Sequence, residues 1–266
     1  MKNRIVLILI CSLLGVTGCA GVITEKQLEV NAMGNEVELT QEKKDFLAEM
    51  SIDEESIQNG ELYDWQVEVL RQYDYAMEYL NKKYPSSTFK FTSCNPKGRD
   101  NSFSTFWFTE DGNDDSYDLY LYVDEDGNYS CEDNYYGKLL KDSYNQEFLT
   151  LLQKNVPECI GVASEFNTVQ GTEFGEQITG KTVLEKNKKL SNTTYIYATE
   201  SDISQAQILA GKIEDIIRSK KIYGSYYIEI LNSDPGSEYI GDDLKEYVRA
   251  QESQIVTFEQ KFNQFD

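Results

Sequence analysis

Hydrophobic positions recur every three to four residues between about residues 61 and 83. Leu62, Trp65, Val69, Tyr73, Ala76 and Leu80 mark one face of a long helix. Pro85 stops it. Upstream, Thr40 opens a short helix over Gln41–Met50, with Phe46 and Leu47 apolar. Ser51 caps a second turn, Ile52–Gln58, which closes at Asn59-Gly60. Beyond Pro85 the period falls to two. Phe89 and Phe91 alternate with Lys90 and Thr92; Phe106 and Phe108 alternate with Thr105, Trp107 and Thr109. Leu119, Leu121 and Val123 alternate with Asp118, Tyr120 and Tyr122, and a short run covers Asn128–Glu132. Asp111-Gly112 and Asp126-Gly127 are hairpin signals. The pattern predicts an antiparallel meander with one face on the long helix. A further helix starts at Asp133 or Asn134, carries Leu139, Leu140, Phe148, Leu151 and Leu152, and ends near Lys154 before Pro157.

The second half is less regular. Ile160–Asn167 reads as a strand and Phe174–Ser191 as irregular chain. Thr193–Thr199 and Ser225–Leu231 read as strands. Between them Ser201 or Asp202 caps a helix to Lys221, with Ile203, Ala206, Ala210, Ile213 and Ile217 on one face. Asp242 caps a final helix predicted through Phe262. The fold class is therefore α+β. Residues 40–157 form a helical hairpin plus helix–meander–helix domain, and 158–266 a second small α+β domain. The first looks like the cystatin-like and related helix-on-sheet folds, as an architectural analogy.

The charge changes the picture. Lys and Arg total 25 against 46 Asp and Glu, a net charge of −21. Nucleic acid and anionic head groups repel such a surface, so nucleic-acid binding is rejected. Aromatic residues at 12%, including 19 tyrosines, supply apolar area to set against that charge. The chain contains no histidine. Ser-His-Asp and Cys-His catalysis and the usual His-containing zinc and copper sites are excluded. No cofactor and no metal site is expected.

Lys2 and Arg4 precede an apolar run from Ile5 to Val16, followed by Val16-Thr17-Gly18-Cys19. A cationic start, a short apolar core and small residues make an export signal. The run is about 12 residues, too short for a bilayer span of roughly 20. The arrangement resembles the type II signal peptide of bacterial lipoproteins, with its lipobox. The resemblance implies that residues 1–18 are removed, that Cys19 is lipidated, and that the chain is anchored to the cell membrane on its extracytoplasmic face. Residues 19–39 then form a tether. With the style of residues 40–157, the chain resembles uncharacterised lipoproteins of low-GC Gram-positive bacteria, a likeness that names no activity.

Three further cysteines, Cys94, Cys131 and Cys159, have no metal-ligand spacing. In a four-strand meander Cys94 and Cys131 fall three strand spacings apart, about 14 Å. A disulfide needs Cα atoms within about 7 Å. Three small buried residues are expected, with one disulfide plus a free thiol as the alternative. Asp124-Glu125-Asp126-Gly127-Asn128 lacks EF-hand spacing and reads as a turn rather than a calcium loop.

If the phenylalanines and leucines of the meander face the helix, Trp107, Tyr120 and Tyr122 share the opposite face. They form a candidate platform for a glycan or a peptide; the alternative is a second core beneath another element. The expected function is non-enzymatic binding by a membrane-anchored lipoprotein, with a protein or cell-wall partner. The runner-up is a carboxylate-dependent hydrolase acting on cell-wall glycan, which needs two carboxyls across a cleft.

Overall fold

The computed structural model describes residues 28–30, 36–98, 102–186 and 190–264. The export signal and Cys19 lie outside the described residues. Two short strands, β1 (Leu28–Val30) and β2 (Glu36–Glu38), pair antiparallel within the segment read as a tether. Val37 and Leu39 are buried, so the end of that segment is fastened to the core.

Three helices follow: α1 (Gln41–Ala48), α2 (Glu54–Asn59) and α3 (Asp64–Lys83). The Thr40 side chain caps α1 by accepting the Lys43 N–H, as expected from its position. Gly60 closes α2 at φ 81°, a left-handed conformation that a side chain resists. Along α3 the buried apolar stripe is Val67, Val69, Leu70, Tyr73, Ala76 and Leu80. Trp65, expected on that face, is 45% exposed. It lies in the first turn, where Gln66 turns inward and its Oε1 accepts the Tyr63 N–H.

The meander forms as predicted. Strands β3 (Phe89–Asn95), β4 (Phe103–Glu110), β5 (Ser116–Val123) and β6 (Tyr129–Asp133) lie in sequence order, all antiparallel. Gly112 and Gly127 take the positive φ that the two hairpin turns require. Phe91, Phe106, Phe108, Leu119 and Leu121 fill the inner face. Phe46 of α1 and Tyr73 of α3 pack on them through ring contacts of 5.0–6.4 Å.

Helix α4 (Tyr136–Gln153) begins at Tyr135, whose ring meets Phe89, Phe108 and Tyr117 of the meander. Most of α4 then packs along β7 (Cys159–Glu165) of a second sheet. A 3₁₀ turn (Thr172–Phe174) and α5 (Gly180–Glu185) occupy the stretch read as irregular. Strands β8 (Thr193–Thr199) and β9 (Gly224–Leu231) are parallel and joined through α6 (Ile203–Ser219), the expected β-α-β unit. Helix α7 (Gly241–Ile255) crosses the outer face above Gly161.

The final helix does not reach Phe262. It ends at Ile255, and Val256–Gln264 forms β10, antiparallel to β9. From Phe258 the residues alternate inward and outward, a period of two that suits a strand. Phe262 stacks on Tyr226 at 5.1 Å. The second sheet has the order β10-β9-β8-β7. Its inner face, under α4 and α6, belongs to one apolar cluster that runs from Phe46 to Ile230, through both halves of the chain. Leu244 and Val248 of α7 form a smaller cluster with Ala163, Tyr197 and Leu231. The chain is α+β.

Candidate functional site

Because inner and outer residues alternate, β4 turns Phe103, Thr105, Trp107 and Thr109 outward, and β5 turns Asp118, Tyr120 and Tyr122 outward. Phe103 lies opposite Tyr122, Thr105 opposite Tyr120 and Trp107 opposite Asp118. Phe103 stacks on Tyr120 with ring centroids 4.5 Å apart and planes at 23°, and touches Tyr122 at 5.4 Å. The Tyr122 hydroxyl donates to Glu132 at 3.4 Å, and burial together with that carboxylate raises its pKa. Trp107 stands four residues along the strand from Phe103, about 13 Å. All four rings are partly exposed, and none belongs to either apolar cluster. The three predicted aromatics therefore do share the face opposite α3. Phe103 was missed, although its odd-numbered parity with Thr105 and Trp107 carried the signal.

A cleft of about 720 Å³ lies between the C-terminal half of α3 and residues 172–186. Tyr75, Tyr79 and Lys82 line one wall, and Glu173, Ile178 and Lys186 are on the other. Beneath it lies a buried ion pair that sequence reasoning did not find. Lys83 Nζ is 2.6 Å from Asp133 Oδ2, with the two side chains 1% and 0% exposed. The ammonium also donates to the Tyr79 hydroxyl at 3.0 Å and to the Gln170 carbonyl at 2.8 Å. Asp133 accepts further from Tyr79 and Tyr84 hydroxyls and from the Tyr135 N–H. Burial lowers the Lys83 pKa; Asp133 opposes the fall. All three ammonium protons are engaged, which makes this a strap joining α3, β6 and the Gln170 loop rather than a nucleophile.

The turn carboxylate Asp124 is similarly engaged. Asp124 accepts the N–H groups of Asp126 and Asn128 and the Asn128 side-chain amide. Those bonds lower its pKa and explain the turn without calcium. Among the described residues, no group of three or more Cys, Asp and Glu is placed to hold a metal. Cys94, Cys131 and Cys159 are free and buried, and burial pushes each thiol up to about 12. Such thiols are inert rather than nucleophilic.

The second sheet carries a comparable outward aromatic pair. Tyr195 and Tyr227 stack at 4.9 Å. Here the chain covers its own rings with cations: Lys245 and Arg249 of α7 lie 4.6 and 5.3 Å from the Tyr195 centroid, and Lys261 lies 4.9 Å from that of Tyr227. Beside them Glu229 faces Glu259 across the β9–β10 pair. Burial, then Glu259 and Glu252, raises the Glu229 pKa to about 7, against the pull of Lys261 and Arg249.

Among the described residues, no helix is long and apolar enough to cross a membrane. Compared with protein-family models, curated proteins and solved structures, the chain matches none.

Proposed function

We propose that this protein is a lipid-anchored, extracytoplasmic binding protein that acts without catalysis. Cys19 carries the lipid, the following residues space the folded part from the membrane, and Phe103, Trp107, Tyr120 and Tyr122 present the binding surface. In this reading the chain is two α+β domains meeting at α4, the first cystatin-like in style. The observation that carries it is the outward aromatic row. The inner face of that sheet is already filled by α1 and α3, so four more rings on the other side add nothing to that core. Aromatic side chains supply large rigid contact area at low entropic cost, which suits recognition. Removal of residues 1–18, with Lys2 and Arg4, takes the charge from −21 to −23 (−21 − 2), which argues that the folded part stands off an anionic membrane.

Metabolic labelling with a fatty acid in the native host tests the anchor. Wild-type chain takes up label and Cys19→Ala does not; continued labelling of the variant refutes lipidation at Cys19. Cross-linking of the anchored chain in membrane and cell-wall fractions tests the surface. Capture of one partner by wild type but not by Trp107→Ala supports it, and undiminished capture by the variant contradicts it.

The second reading is a carboxylate-dependent hydrolase acting on cell-wall glycan. Its supporting observation is that Glu78 and Glu173 both line the cleft beside α3. Release of soluble fragments from cell wall by wild type, lost in Glu78→Gln and Glu173→Gln, would favour it.

A further inference from the structure

Resting on the aromatic face as the binding surface, we propose that its partner is a cationic polypeptide segment, rich in arginine or lysine. The chain itself shows how such a face is satisfied. On the second sheet a stacked outward pair, Tyr195 and Tyr227, is covered by Lys245, Arg249 and Lys261. The first sheet repeats the stacking, with Phe103 on Tyr120, but without the apolar cluster of α7 on which Tyr195 also packs. Yet among the described residues no helix crosses that face, and no lysine or arginine stands over Phe103, Trp107, Tyr120 or Tyr122. Ring faces are negative and attract a cation that stacks on them.

The surrounding charges point the same way. Exposed Asp111, Asp114 and Asp115 lie in the turn at one end of the β4–β5 pair, and exposed Asp124, Glu125 and Asp126 lie in the turn after β5 at the other. Asp118 and Glu132 lie on the face itself. Against these eight carboxylates stand two described lysines, outward Lys90 of β3 and exposed Lys97, whose Nζ donates to the Val123 carbonyl at the end of β5. A basic segment lying along the row meets π faces in the middle and carboxylates at both ends. Such complementarity raises association rate and selects against anionic partners. A neutral glycan would use the rings and leave the acidic turns unmatched.

The test uses the full lipidated chain in nanodiscs of zwitterionic lipid, which themselves have no affinity for basic peptides. The probe is labelled octa-arginine, read by fluorescence anisotropy. Expected is binding that weakens with salt and falls about tenfold in Trp107→Ala and in Tyr120→Ala. Trp107→Lys, which supplies a cation of its own, abolishes binding while its circular dichroism and melting stay those of a folded chain. Glu54→Gln with Glu55→Gln, on the exposed side of α2, leaves affinity unchanged. The proposal is overturned if the α2 variant weakens binding as much as Trp107→Ala, because the attraction is then diffuse. It is also overturned if octa-arginine fails to bind. In that case, ring-dependent binding of a neutral glycan tetramer or an uncharged peptide preserves the face as a site, whereas a face that binds none of the three ends both readings.

Discussion

Asp133 accepts four hydrogen bonds while fully buried, and its partner Lys83 has nowhere to move its charge. Removing one member of such a pair leaves an uncompensated ion in a low-dielectric site. Asp133→Asn is expected to cost about 3–5 kcal/mol in urea unfolding. Adding Lys83→Met to it should recover a large part of that loss; a double variant no better than the single would show that the charge is not the cause. Glu229 makes stability depend on pH. Its folded pKa, about 7, exceeds the ordinary 4.5. The neutral form is favoured in the fold, so its stabilising contribution is complete below pH 4.5 and lost as pH rises through 7. Glu229→Gln should raise stability at pH 8 by about 1 kcal/mol, the part of the charge penalty that solvent screening leaves, and change nothing near pH 4. Thermal melts of both proteins across that range check it. Equal gains at pH 4 and pH 8 would place the effect elsewhere than in the charge.

Helix α5 reaches its place only because Gly180 has no side chain. A Cβ there would lie 2.3 Å from the Tyr144 Cα and 2.4 Å from the Ser143 carbonyl oxygen. These are backbone atoms of α4 that cannot swing aside, and the Gly180 N–H is bonded to the Ser143 hydroxyl. Gly180→Ala should destabilise by about 1–3 kcal/mol and speed amide exchange in α5, while exchange in the first sheet stays slow. Exchange unchanged in α5 would contradict the close approach. Contacts of this kind were illegible in the sequence. Period and caps disclosed α1, α3, the meander and the β8-α6-β9 unit, because Thr40, Asp202 and the alternating phenylalanines act locally. The meander's parity also disclosed three of the four outward rings. What depends on distant chain was lost. Nothing near Lys83 announces Asp133 fifty residues on, and Gly180 reads as loop until α4 is beside it. β10 is hidden for another reason: the helix predicted from the Asp242 cap through Phe262 takes in Phe258 and Phe262, which follow a strand's period.

Across the whole molecule, the proposed function rests on the acidic surplus and the outward aromatic row. One apolar cluster unites the halves and fills the inner faces of both sheets. The second sheet's outer aromatic pair lies beneath cations from α7 and β10. The first sheet's outer rings are partly exposed, and the proposal that this face receives a partner is the central claim. Acrylamide quenching of Trp107 tests it most directly, using the full chain with Trp65→Phe so that one tryptophan reports; Trp65 is 45% exposed and replaceable. The account predicts that acrylamide quenches Trp107 readily and that its emission is red-shifted relative to a core tryptophan. Blue emission that acrylamide leaves untouched would mean that the protein covers this face itself, and the binding surface would have to be sought elsewhere.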